Sequence, residues 1–219
     1  MTKHFQRELD RLKKMILSLG AVVKERVNMA KTAIEKKDAR LAKEIVKRDY
    51  EIDELEVETE EECLKALALY QPVAVDLRFI IAIIKINNDL ERIGDQAVNI
   101  AERVEFIADQ EVQDLVFDYS GMAEKAQRML KMSLDALVNL DVDLALKVCH
   151  LDDGVDRIKV KAYDDIKAMV KQQPDRVGYF INLLLISRHL ERLADHATNI
   201  AEEVIYMVEG EIVRHGKLD

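Results

Sequence analysis

The sequence predicts an all-α, elongated protein built from two tandem, sequence-similar three-helix bundles, and three observations carry that expectation. Apolar residues recur at spacings of three and four, as in Leu9, Leu12, Ile16, Leu19 and Val23, the pattern of an amphipathic helix. Two prolines and seven glycines in 219 residues leave few places where a helix is forced to stop. Finally, Leu-Glu-Arg-Ile-Gly-Asp-Gln-Ala-Val-Asn-Ile-Ala-Glu-Arg-Val at 90–104 returns one hundred residues later as Leu-Glu-Arg-Leu-Ala-Asp-His-Ala-Thr-Asn-Ile-Ala-Glu-Glu-Val, with ten of fifteen positions identical. The chain is a duplication, and the retained residues include acids and an Asn that packing alone does not require.

The first helix carries the stripe from Leu9 to Val23 and ends near Lys36 to Asp38. The second carries Leu41, Ile45, Ile52 and Leu55 and stops at Gln71-Pro72. Proline suits the first turn of a helix, where its missing N–H has no partner to lose, so Pro72 and Pro174 are expected to open the third helix of each half. The pattern lapses between about Asp109 and Gly121, which is read as a linker joining a first bundle at 1–110 to a second at 111–219. Asp118 or Ser120 is the candidate N-cap of the fourth helix. Breaks near Asp141 and at Gln173-Pro174 complete the second half. Ala33, Asp38, Leu41, Ala42, Asp49, Ile52 and Asp53 match Ala136, Asp141, Leu144, Ala145, Asp152, Val155 and Asp156 at a constant offset of 103. Short turns make successive helices antiparallel, and a third helix of roughly 35 residues would be about 50 Å long.

Composition removes several functions. A net charge of −9 with scattered basic residues repels nucleic acid. The longest apolar runs, Phe79 to Ile84 and Ile181 to Ile186, are far shorter than the roughly 20 residues that cross a bilayer, and no apolar leader precedes them, so a cytoplasmic location is expected. Cys63 and Cys149 lack a CxxC partner and read as buried or half-buried reduced thiols. No catalytic triad order, phosphate loop or HExxH motif occurs, and the chain does not read as an enzyme.

The chemistry lies in the acids. Glu91 and Asp95 share a helical face, continued by Asn99 and Glu102, as do Glu191, Asp195, Asn199 and Glu202. The small residues Gly94, Ala97, Ala101, Ala194, Ala197 and Ala201 beside them permit close approach of a neighbouring helix. In an antiparallel hairpin, residues equally far from the turn stand level. Asp49 and Asp95 are equidistant from Pro72, as are Asp53 and Glu91; Asp152 and Asp195, and Asp156 and Glu191, are equidistant from the Gln173-Pro174 junction. Each half thus sets four carboxylates at one height. Such a group needs protons, basic side chains or metal ions to offset its repulsion, and oxygen-only ligands suit Mg²⁺, Ca²⁺, Mn²⁺ or bridged iron. The competing reading is a structural ion-pair network with Arg48, Lys85 or Arg192. His189 and His196 lie off the Glu191/Asp195 face and are read as surface or interface residues. The Glu-x-x-His pairs of a ferritin-like di-iron site are absent.

These motifs, with Tyr70-Gln-Pro-Val-Ala-Val-Asp-Leu-Arg78, resemble the PhoU family across essentially the whole chain; the segments of Phe5, Leu9 and Leu12 and of Asp49 and Asp53 fall where that family has them. The resemblance implies two similar three-helix bundles, with iron or zinc clusters on Asp49, Asp53, Glu91 and Asp95 and on Asp152, Asp156, Glu191 and Asp195. It also implies a non-catalytic adaptor linking the ATPase subunit of a high-affinity phosphate ABC transporter to a sensor histidine kinase and restraining the phosphate-starvation response. Contact with the membrane would be only through these partners, and a homodimer is expected. The other readings are an iron-handling protein and a metal-free helical scaffold. Val75-Asp76-Leu77-Arg78 has no counterpart after Pro174, so a site using Asp76 or Arg78 would exist once.

Overall fold

The computed structural model describes residues 3–110 and 117–213. Helices α1 (Lys3–Lys36), α2 (Ala39–Lys47), α3 (Tyr50–Tyr70) and α4 (Ala74–Ala108) form the first half; α5 (Tyr119–Asn139), α6 (Val142–Gln172) and α7 (Val177–Glu209) form the second. The three helical segments expected in each half are present, with the second segment of the first half divided into α2 and α3. Much of the expected linker and the boundary between 110 and 111 involve residues 111–116, which lie outside the described residues.

The repeat extends to single dihedrals. Lys37 and Leu140, 103 residues apart, both turn left-handed, at φ 49° and 52°. The next residues, Asp38 and Asp141, then cap α2 and α6 by accepting from the backbone N–H of Arg40 and Leu41 and of Leu144. Each cap satisfies amides that the helix start leaves without partners. Asp118 caps α5 through the N–H of Gly121, whereas the Ser120 hydroxyl donates instead to Glu35. The prolines are not equivalent. Pro174 opens a 3-10 turn, Pro174–Arg176, from which α7 continues. Pro72 lies ahead of α4, whose N-cap is the extended Val73, and positive φ at Gln71 and Ala74 turns the chain there.

Arg26 accounts for the break between α2 and α3. This side chain, 1% exposed, reaches from α1 to donate to the Ile45 carbonyl at 3.3 Å and to Glu51 at 2.9 Å. Arg48 holds the same carboxylate at 2.9 and 3.1 Å. A side chain inserted into the ladder of helical hydrogen bonds kinks it, and Glu51 and Ile52 accordingly bond back to the carbonyls of Arg48 and Asp49, one residue short of the α pattern. At the matching positions the second half has Met129, Leu151 and Gly154, and α6 runs unbroken.

One apolar core passes through both halves. Gly94, Ala97, Ala101, Ala194, Ala197 and Ala201 are buried in it. A Cβ on Gly94 would come within 2.8 Å of Ile52 Cδ1, so the glycine lets α3 lie close to α4. The most extensive packing joins α4 to α7. These helices are antiparallel, because Asp89 meets His196 and Gln96 meets His189. Those two contacts exchange under the offset of one hundred residues, so the halves are related by an internal pseudo-two-fold crossing mid-way along α4 and α7.

Candidate functional site

Asp49 stands at the break before α3, Asp53 in the first turn of α3, and Glu91 and Asp95 midway along α4. Asp152 and Asp156 occupy α6 opposite Glu191 and Asp195 of α7. Exposure repeats between the sets: Asp53 and Asp156 are exposed, and the other three of each set are half-buried.

Within each set the acids act on one another across helices. Burial raises the Asp49 carboxyl above its ordinary range, Asp53 and Asp95 raise it further, and Arg26 opposes them. Asp95 is raised by burial and then by Asp53, against Arg92 and His196. Glu91 is raised by burial and Asp95, with Arg92 opposing and Glu56 and Asp53 adding to the rise. In the second set burial pushes Asp152 up to about 6, followed in effect by Asp195, Asp156, Asp153 and Glu191. Asp195 also rises to about 6, through burial, Glu191 and Asp156, with His196 and Lys159 opposing. Like charges brought out of water disfavour one another's ionisation. The matched heights therefore bring the four acids of each hairpin into mutual electrostatic range. Among the described residues, no three His, Cys, Asp or Glu side chains are already gathered as metal ligands; the approach is Coulombic rather than coordinating.

The cations proposed from sequence as neutralising partners are engaged elsewhere or do not face the acids. Arg48 grips Glu51, Lys85 pairs with Glu203 at 3.3 Å, and Arg192 is exposed and acts on His189. Among the described residues, the cation that forms a direct ion pair with a site carboxylate is Lys159, on Glu191. Its counterpart at the offset of 103 is Glu56, itself raised by burial and then by Glu60 and Asp53. Sequence reasoning missed Lys159 and Arg26; aligning all of α3 with α6, and α1 with α5, at that same offset would have exposed both.

A cleft of about 920 Å³ spans the two halves, with Glu56 and Glu60 on one side and Asp152 and Asp195 on the other. His196 Nδ1 lies 2.8 Å from Asp89 Oδ1, which also accepts from Asn199 at 3.0 Å, so the polar stripe beyond Asp195 ends in a contact between the halves. His189 Nδ1 lies 2.9 Å from Gln96 Oε1; an amide oxygen only accepts, so that nitrogen carries the proton. Burial, then Arg103, Arg192 and Arg188, lower His189 to about 4. Both histidines are interface residues. Cys63 is buried, Cys149 half-buried and both are free; burial pushes each thiol up to about 12, which suppresses the reactive thiolate.

The PhoU domain model matches residues 16–104 and 119–204. The phosphate-specific transport system accessory protein PhoU homolog of Aquifex aeolicus is 39% identical over 209 residues, covering 95% of each chain. The crystal structure of PhoU from Pseudomonas aeruginosa superposes with a TM-score of 0.91 at 36% identity, over 94% of this chain and 100% of that one. The phosphate transport system regulatory protein PhoU from Streptococcus pneumoniae superposes with a TM-score of 0.85 at 30% identity, over 95% and 99%.

Proposed function

The chain belongs to the PhoU family, and from that premise we propose that it is a cytoplasmic adaptor of phosphate homeostasis, restraining the phosphate-starvation response. The partners we assign are the ATPase subunit of a high-affinity phosphate ABC transporter and a sensor histidine kinase. As a phosphate transport accessory and regulatory protein it is not an enzyme. Among the described residues no helix is long and apolar enough to cross a membrane, so an adaptor of this kind reaches the bilayer through its partners. We assign one repeat to each of 1–110 and 111–219, and a homodimer to the whole.

The observation that carries the metal part of this reading is the repeated four-carboxylate hairpin, whose acids are held partly out of water against one another. Asp49, Asp53, Glu91 and Asp95, and separately Asp152, Asp156, Glu191 and Asp195, are the residues that would hold metal ions, iron or zinc by family and Mg²⁺, Mn²⁺ or Ca²⁺ by donor chemistry. A bound multivalent ion would offset charge that the apo protein must otherwise relieve by taking up protons. Helices α3 and α4, and α6 and α7, would then be tied together at mid-height. In the second half Lys159 on Glu191 favours a rival reading in which an ammonium serves instead.

Elemental analysis of untagged protein prepared without chelator tests this directly. Glu91→Gln with Asp95→Asn should lose the metal of the first set and keep that of the second. No tightly bound metal in the wild type, with melting indifferent to added metal, would sink the metal assignment. Pull-downs with the transporter ATPase subunit and the sensor kinase test the adaptor assignment separately.

A further inference from the structure

Helix α3 carries an outward apolar seam that the core does not use. Tyr50, Val57 and Leu64 are 55%, 52% and 53% exposed, and their spacing of seven residues puts them on one helical line. Around the helix axis, Glu54, Glu58 and Glu61 border this line on one side, and Asp53 and Glu60 border it on the other. All five are exposed. The only basic residue in α3 is Lys65, and it is bound to Glu62 at 2.7 Å. An apolar line between two rows of carboxylates is the surface of a helix awaiting a partner helix of opposite charge.

We propose that α3 docks a basic amphipathic helix of a partner protein, which lays apolar residues along Tyr50, Val57 and Leu64 and Lys or Arg side chains against Glu54, Glu58 and Glu61. Charge selects this occupant. A second copy of α3 would set carboxylates against carboxylates, and an anionic lipid surface would be repelled in the same way. The seam is not repeated at the matching positions of α6, which are Asp153, Val160 and Lys167; these keep one apolar residue and introduce a charge of each sign. The duplication therefore did not copy this surface from α3 to α6, and the proposal stands whether or not the carboxylate sets hold metal.

Fluorescence anisotropy with the full chain tests it, using a labelled synthetic three-heptad helix with Leu along its seam and Lys beside it, and a second helix with Glu in place of Lys. The Lys helix should bind and the Glu helix should not. Val57→Ser with Leu64→Ser should weaken binding at least tenfold, equivalent to about 1.4 kcal/mol, while Val160→Ser, at the matching place on α6, leaves it unchanged. All three residues are exposed, and circular dichroism should find the variants as helical as the wild type. The proposal is overturned if the wild type fails to bind the Lys helix, if the Glu helix binds equally, or if the double variant binds as well as the wild type. It is also overturned if sedimentation shows a wild-type dimer that the double variant loses, or if phosphatidylcholine vesicles bind the wild type through the same residues.

Discussion

The two carboxylate hairpins share register and exposure, yet they relieve their charge from opposite directions. In the first, a guanidinium approaches from the core: Arg26 breaks the helix beside Asp49 and opposes that carboxyl's rise. In the second, the core position is Met129, the helix is continuous, and an ammonium, Lys159, pairs with Glu191 from the side where the first half has Glu56. Asp152 and Asp195 still rise to about 6. Duplicated backbones can therefore preserve where acids stand while the neutralising group drifts, because compensation requires only proximity and not one particular residue.

The largest test of this contrast is Arg26→Ala. Removing one member of a buried ion pair costs about 3 kcal/mol, at the lower end of such losses because Arg48 still holds Glu51. Arg26→Met, which installs the second half's residue, should cost less, since its length fills the space that Ala leaves. Urea unfolding measures both; an unchanged midpoint for Arg26→Ala would break the account of the kink.

Next is pH, in chelator-treated protein. Asp152 and Asp195 bind protons at about 6 when folded and near 3.9 when unfolded. Their contribution is present at low pH and lost as pH rises through 6. His189, lowered to about 4, works in the other sense: its contribution is present above about 6.5 and declines as pH falls towards 4. The variant Asp152→Asn with Asp195→Asn should be more stable than the wild type by about 1–2 kcal/mol at pH 7.5, allowing for partial exposure, and the difference should shrink through pH 6 and close below about pH 4. A constant difference across that range would refute the assignment of these two acids.

A smaller effect comes from exchanging the flanking charges. In metal-free protein, Lys159→Glu should destabilise by about 1 kcal/mol and Glu56→Lys should stabilise by somewhat less, as expected of partly exposed pairs. Thermal melts of the two variants should move in opposite directions; movement in the same direction would mean that these residues do not set the difference between the hairpins.

The smallest effect concerns a point where the halves agree. Lys37→Gly and Leu140→Gly relieve the left-handed conformation that both residues adopt, and each should gain about 0.5 kcal/mol after the flexibility of glycine is set against that relief. Unequal responses in melting temperature would show that the turns, too, have diverged.

Legible in the residues alone were the helical class, the antiparallel hairpins, the paired heights of Asp49, Asp53, Glu91 and Asp95 with their copies, and the breaks near Asp38 and Asp141. These follow from periodicity, turn spacing and local hydrogen bonding, all of which act over a few residues or are measured outward from a turn. Packing between helices settled that Arg26 enters the path of α2, that Lys159 rather than Arg48, Lys85 or Arg192 pairs with a site carboxylate, and that His189 and His196 join α4 to α7 through Gln96 and Asp89. Those outcomes depend on which faces of separate helices meet. A long cationic side chain can reach any of several carboxylates, and packing between helices selects among them.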